Sequence, residues 1–154
     1  MIAYPDTSFL CALYRTQDNS ERALAFRATM LEPLKITRLL LWEFRQSIRF
    51  QAFRHSNNPA LGYSSAEATK MIEDLAEDLT AGLVVIIPTD VELVLNYGER
   101  ISKARTFSGG HRSFDILHVA TALELGAKQF LSFDANQIRL AKAEGLHVPA
   151  ALAS

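Results

Sequence analysis

The chain has 154 residues, 49% of them hydrophobic and 21% charged, with a formal net charge of −1. That balance suits one globular domain, residues 1–154, with a sizeable core, and it excludes a disordered chain. It also excludes a histone-like or tail-driven nucleic-acid binder, leaving room for a local basic groove. The one cysteine, Cys11, rules out an intramolecular disulfide and lies in an apolar stretch, so a cytoplasmic location is expected. Asp6 interrupts any signal peptide and no apolar run approaches a membrane span, so no membrane partner is expected.

In chain order, Tyr4 and its predecessors read as a short strand, followed by a helix from Ser8 to about Tyr14. A second helix covers Asn19 to about Leu31, and Pro33 stops it. Leu34 to Thr37 reads as a strand. From Leu39 to about His55, the apolar residues Leu40, Phe44, Ile48 and Phe53 fall close to helical spacing. A loop at Ser56-Asn57-Asn58-Pro59 ends that helix.

Ser64 and Glu67 have the spacing of a capping box, opening a helix that runs to Gly82. Leu83 to Ile87 reads as a buried strand. Thr89 and Glu92 suggest another capping box, for a helix reaching about Arg105. Ser108 to His111 reads as a loop. A helix from Phe114 to Leu125 stops at Gly126, a strand covers Gln129 to Phe133, and a helix from Ala135 to Glu144 stops at Gly145. Such helix–glycine–strand junctions are the signal of a glycine just past a helix end. Strands alternating with helices predict an α/β fold, a three-layer α/β/α sandwich around a mainly parallel central sheet.

Four carboxylates stand out against this frame. Asp6 follows the first strand, Glu43 lies early in the helix after the second, and Asp134 directly follows the strand ending at Phe133. In open α/β sheets ligands bind outside the carboxyl ends of the strands. Asp115 opens a helix whose residues Ile116, Leu117, Val119, Ala120, Ala122 and Leu123 are apolar on nearly every face, as in a buried helix. A plain capping role is available to Asp6, Asp115 and Asp134, since carboxylates are favoured at helix N-termini. Glu43 is harder to assign to a cap, because it sits within the apolar run LLLWEF, where an unpartnered carboxylate is expensive to bury. Acids that converge repel one another unless a cation neutralises them, and an oxygen-only cluster suits Mg²⁺ or Mn²⁺. His55, His111, His118 and His147 are too scattered to suggest zinc, and His118, on the buried helix, reads as a packed, hydrogen-bonded residue.

The segments YPDTSFLCAL, LLLWEFRQSI, HRSFDILHVATALELGA and KQFLSFDANQIRLAKAEGL together resemble the PIN domain, and within it the small VapC-type ribonuclease toxins of toxin–antitoxin systems. The resemblance spans nearly the whole chain and rests on the ordered acids Asp6, Glu43, Asp115 and Asp134. It implies that these four bind the metal and carry catalysis, with Ser8 and Ser132 as supporting hydroxyls. Asn136 stands where some relatives have a further acid; its carbonyl oxygen can support the site, with one negative charge fewer for a second ion. The implied reaction is metal-dependent hydrolysis of RNA leaving a 5′-phosphate and a 3′-hydroxyl. Arg45, Arg49 and Arg112 are candidate grips for RNA phosphates, with ion pairs to nearby acids as the plainer alternative. The implied partners are a small antitoxin and a second copy in a homodimer. A haloacid-dehalogenase-type phosphotransferase would need an Asp where Ser8 stands. The remaining alternative is a non-catalytic PIN-like RNA-binding or interaction module.

Overall fold

Pairing between two short strands far apart in sequence sets the frame. In the computed structural model, which describes residues 1–153, β1 (Ala3–Pro5) runs parallel to β4 (Gln129–Leu131). Ala3 stands opposite Gln129 and Pro5 opposite Leu131. Tyr4 and Phe130, side by side in this register, are both fully buried, with ring centroids 6.0 Å apart. Pro5 has no N–H to give, and Asp6 supplies the next bond, its N–H donating to the Leu131 carbonyl at 3.0 Å. A proline at a strand's last residue therefore leaves the ladder intact. The parallel register also brings the residue after Pro5 beside the residues after Leu131.

The chain divides into two compact units, residues 1–9 with 87–154, and residues 10–86. In the first unit, α5 (Val91–Ile101) continues through a π-helical turn, Ser102–Thr106, into a single turn, α6 (Phe107–Gly109). Helix α7 (Ser113–Glu124) packs along α5, and α8 (Ala135–Ala143) follows β4. Ile116, His118, Val119, Ala120, Thr121 and Ala122 of α7 are all buried, as its composition predicts. His118 is indeed packed and bonded, its Nδ1 lying 3.1 Å from the Tyr4 hydroxyl. Beyond α7, Gly126 takes φ +63°; its N–H donates to the Leu123 carbonyl and that of Ala127 to the Ala122 carbonyl. This is the pair of hydrogen bonds that closes a helix through a left-handed residue. Gly145 ends α8 in the same conformation.

The helix α1 (Thr7–Tyr14) starts in the first unit and ends in the second. The second unit holds α2 (Ser20–Ala28), β2 (Leu34–Ile36), α3 (Arg38–Asn57), α4 (Ser65–Thr80) and β3 (Val84–Ile86), with β2 parallel to β3. Leu34, Ile36, Leu40, Phe44, Ile48, Met71 and Leu75 are buried. Thr37 caps α3 by accepting the Leu40 N–H, and Ser64 and Glu67 form the reciprocal box expected at α4. Tyr14 places its ring edge-on to Phe44 and donates its hydroxyl to Asp78 at 2.7 Å.

Phe53 lies in α3 as its spacing predicts, 62% exposed and stacked on the also exposed Phe50. Three expectations are corrected. In the expected buried strand at 83–87, only Val84 is buried, while Leu83 and Ile86 face solvent. The cap of α5 is Asp90 rather than Thr89: its carboxylate accepts the Leu93 N–H, and its own N–H donates to Glu124. The segment expected as a loop at 108–111 begins inside the turn α6, held by the Gly110 N–H on the Thr106 carbonyl.

Candidate functional site

Asp6 sits where the register of β1 and β4 places it, 2% exposed at the start of α1. Its Oδ1 accepts the Phe9 N–H at 3.0 Å and the Ser8 hydroxyl at 2.6 Å. Its Oδ2 accepts the Ser132 hydroxyl at 2.5 Å. Asp6 is thus a helix cap and a buried carboxylate at once. Burial pushes its pKa up from the usual carboxylate range, opposed by the Ser132, Ser8 and Phe9 hydrogen bonds and, least, by the charge of His118.

Ser132 carries the network onward. Its Oγ accepts the Asp134 N–H at 3.0 Å, and Ser8 lies against it at 3.3 Å while accepting the Phe133 N–H. Asp134 caps α8, its Oδ1 accepting the Asn136 N–H at 2.8 Å and the Gln137 N–H at 3.0 Å. Gln137 is 4% exposed and donates its side-chain Nε2 to Asp115 Oδ1 at 3.3 Å. Asp115, in the first turn of α7, takes the Arg112 N–H on Oδ2 at 3.3 Å. Asp6, Asp134 and Asp115 are therefore joined through Ser132 and Gln137 into one hydrogen-bonded chain.

The other candidate residues are placed differently. Glu43 stands on the second turn of α3, in the second unit, and is only partly buried. The premise of a deeply buried Glu43 does not hold, because its neighbour Trp42 is 55% exposed while Leu40, Leu41 and Phe44 turn inward. The Oδ1 of Asn136 accepts a hydrogen bond from Arg139. Arg112 is exposed, and its Nε lies 3.7 Å from Asp115, the ion pair that was the plainer expectation for it. Arg45 is half-buried; Arg49 is exposed and lines a cavity with Ser65, Thr69 and Glu73.

Gln137 was not singled out in the sequence, although a signal existed. The spacing Asp134-x-x-Gln137 is that of a capping box, in which Gln would reach back to the cap's N–H. Here Ser132 already occupies that N–H, so the Gln137 side chain extends to Asp115 instead.

Among the described residues, no three His, Cys, Asp or Glu side chains stand close enough together to hold a metal ion. The donor chemistry nonetheless fits a hard divalent ion. The carboxylates of the chain are oxygen donors, and Gln137 leaves its buried Oε1 without a hydrogen-bond partner.

The family model for the PIN domain matches residues 3–143. Among solved structures, the crystal structure of FitAcB from Neisseria gonorrhoeae is similar, with a TM-score of 0.62 at 21% identity over 98% of each chain. No curated protein matches the chain. The α/β architecture with parallel strands is thus the PIN-like one that the sequence predicted.

Proposed function

The chain belongs to the PIN domain family, and from that premise we propose that it is a Mg²⁺- or Mn²⁺-dependent endoribonuclease, the toxin of a toxin–antitoxin pair. The observation that carries the reading is the hydrogen-bonded chain linking Asp6, Asp134 and Asp115 at the carboxyl ends of β1 and β4. Asp6, Asp115 and Asp134 would hold the ion, with Glu43 as the fourth ligand that the resemblance implies. When bound, the ion supplies Lewis-acid polarisation of the scissile phosphate and a lowered pKa for an attacking water.

The chain's own residues have distinct tasks. Ser132 and Ser8 fix both oxygens of Asp6 and hold its charge in place against the cost of burial. Asp134 fixes the first turn of α8, and with it the backbone of Asn136 and Gln137. Arg112, exposed beside Asp115, and Arg45 and Arg49 on α3 would bind RNA phosphates. A small antitoxin and a second copy of the chain are the proposed partners, in the cytoplasm.

The test is incubation of the purified chain with end-labelled single-stranded RNA, with and without Mg²⁺ or Mn²⁺. Cleavage that needs the ion, leaves 5′-phosphate ends and is lost in Asp6→Asn supports the reading. One observation favours the alternative, a non-catalytic RNA-binding or interaction module: the acids of the described residues are not gathered at one point. RNA binding without cleavage under either ion would decide for that module.

A further inference from the structure

Gln137 is bonded to two acids at once: its backbone N–H donates to Asp134 Oδ1 at 3.0 Å and its side-chain Nε2 to Asp115 Oδ1 at 3.3 Å. We propose that Gln137 is a positioning residue, which fixes the carboxylate of Asp115 relative to Asp134 for divalent-metal binding. The inference rests on the metal-dependent reading above and deepens it.

Three observations support this assignment. Asp115 and Asp134 lie on different elements, α7 and the turn before α8, and Gln137 is the residue that hydrogen-bonds to both. The amide is buried, and burying an amide with one end unsatisfied costs free energy that a purely structural residue would avoid. A leucine or methionine would fill the same volume at lower cost, so packing alone does not account for a glutamine. Finally, Ser132 relieves Gln137 of the backbone capping duty its position would otherwise carry.

The chemistry suits positioning rather than charge. A neutral amide donates to Asp115 without cancelling its negative charge, whereas Lys or Arg would compete with a cation for it. Partners that orient a ligand in this way typically contribute about 10–100-fold to metal affinity.

The experiment is calorimetric titration of RNA-free protein with Mn²⁺, together with water-proton relaxation of the bound ion, for wild type, Gln137→Met and Gln137→Ala. Both substitutions keep good helix formers in α8, and circular dichroism checks the fold. The expected result is folded variants whose Mn²⁺ affinity falls by roughly 10-fold or more, with increased relaxation because water replaces a disengaged Asp115 on the ion. Wild-type affinity and hydration in both variants would overturn the role of Gln137 while leaving the metal reading intact. Variants that fail to fold would make Gln137 a structural residue and overturn the assignment equally. Wild-type protein that binds no Mn²⁺ would overturn the metal-dependent reading, and this inference with it.

Discussion

Ser132 and Asp6, 126 residues apart in sequence, share a buried hydrogen bond of 2.5 Å, and the same Ser132 oxygen receives the N–H of Asp134. One hydroxyl therefore satisfies a buried carboxylate and the backbone of a helix cap together. Ser132→Ala should strand both groups and lower unfolding free energy by about 1–3 kcal/mol. Urea denaturation measures this, and a loss below a few tenths of a kcal/mol would show that the hydroxyl is dispensable.

Asp6→Asn gives a pH-dependent prediction whose sign follows from burial. The folded-state pKa of Asp6 is raised above its ordinary value. Its proton is held more tightly in the folded state, so this linkage favours folding fully below the unfolded pKa near 3.8 and is lost as pH rises through the folded pKa. In metal-free buffer the stability of Asp6→Asn relative to wild type should therefore increase with rising pH across that window. Thermal melts of both proteins from acid to neutral pH check it; a stability of Asp6→Asn relative to wild type that falls with rising pH would reverse the assignment. RNA cleavage by Asp6→Asn should be abolished throughout.

Tyr14→Phe probes the second unit. The Tyr14 hydroxyl is held by Asp78, and burial followed by that hydrogen bond raises its pKa. Removing the hydroxyl should cost about 1.5–3 kcal/mol, the range for a hydrogen bond to a charged group. The ring contact with Phe44 should survive. Denaturation of the variant reports the cost, and an unchanged midpoint would show that water serves Asp78 equally well.

Asn136 bears on the number of metal ions. Two dications about 3.5–4 Å apart need several carboxylates to offset their repulsion, and Asn136 adds no charge. Mn²⁺ titration of RNA-free protein should show one tight class of about one ion. Asn136→Asp alone should change this little, because Arg139, which already bonds the Asn136 oxygen, would pair with the new carboxylate. Adding Arg139→Gln should free that carboxylate and strengthen a second ion. Two equally tight ions in wild type would refute the argument, and chelation should reverse any thermal stabilisation the ion confers.

Local backbone chemistry was the most legible part of the fold. The capping box of Ser64 and Glu67 and the terminating glycines at 126 and 145 depend on neighbours in sequence, and they appear where their spacing puts them. The ordering of strands and helices followed from those signals. The expected burial of the strand at 83–87 failed because an apolar run identifies a strand without revealing whether anything packs on its faces. Asp90 displaces Thr89 as the cap because α5 begins at Val91, which puts the Asp90 carboxylate in reach of the Leu93 N–H.

In the candidate site, sequence order singled out Asp6, Asp115 and Asp134, and strand register explains why Asp6 and Asp134 meet at Ser132. Gln137 escaped notice because its role depends on Ser132 occupying a backbone N–H, a contact between residues that no spacing rule pairs. The apolar run around Glu43 suggests burial, but its outward face, marked by Trp42, is exposed and Glu43 is only partly covered.

The pairing of β1 with β4 also has a consequence for synthesis. The residues that follow β1 leave the ribosome more than a hundred residues before their partners after β4. At about 5–20 residues per second, several seconds separate the two. Closing so long a loop carries an entropic cost that only contacts made after closure repay. Until residue 132 is made Asp6 has no Ser132 beside it, and a nascent chain arrested before that point lacks the hydroxyl that joins Asp6 to Asp134. For a chain proposed to cut RNA, the hydrogen-bonded chain of acids cannot form before residue 137 has been made.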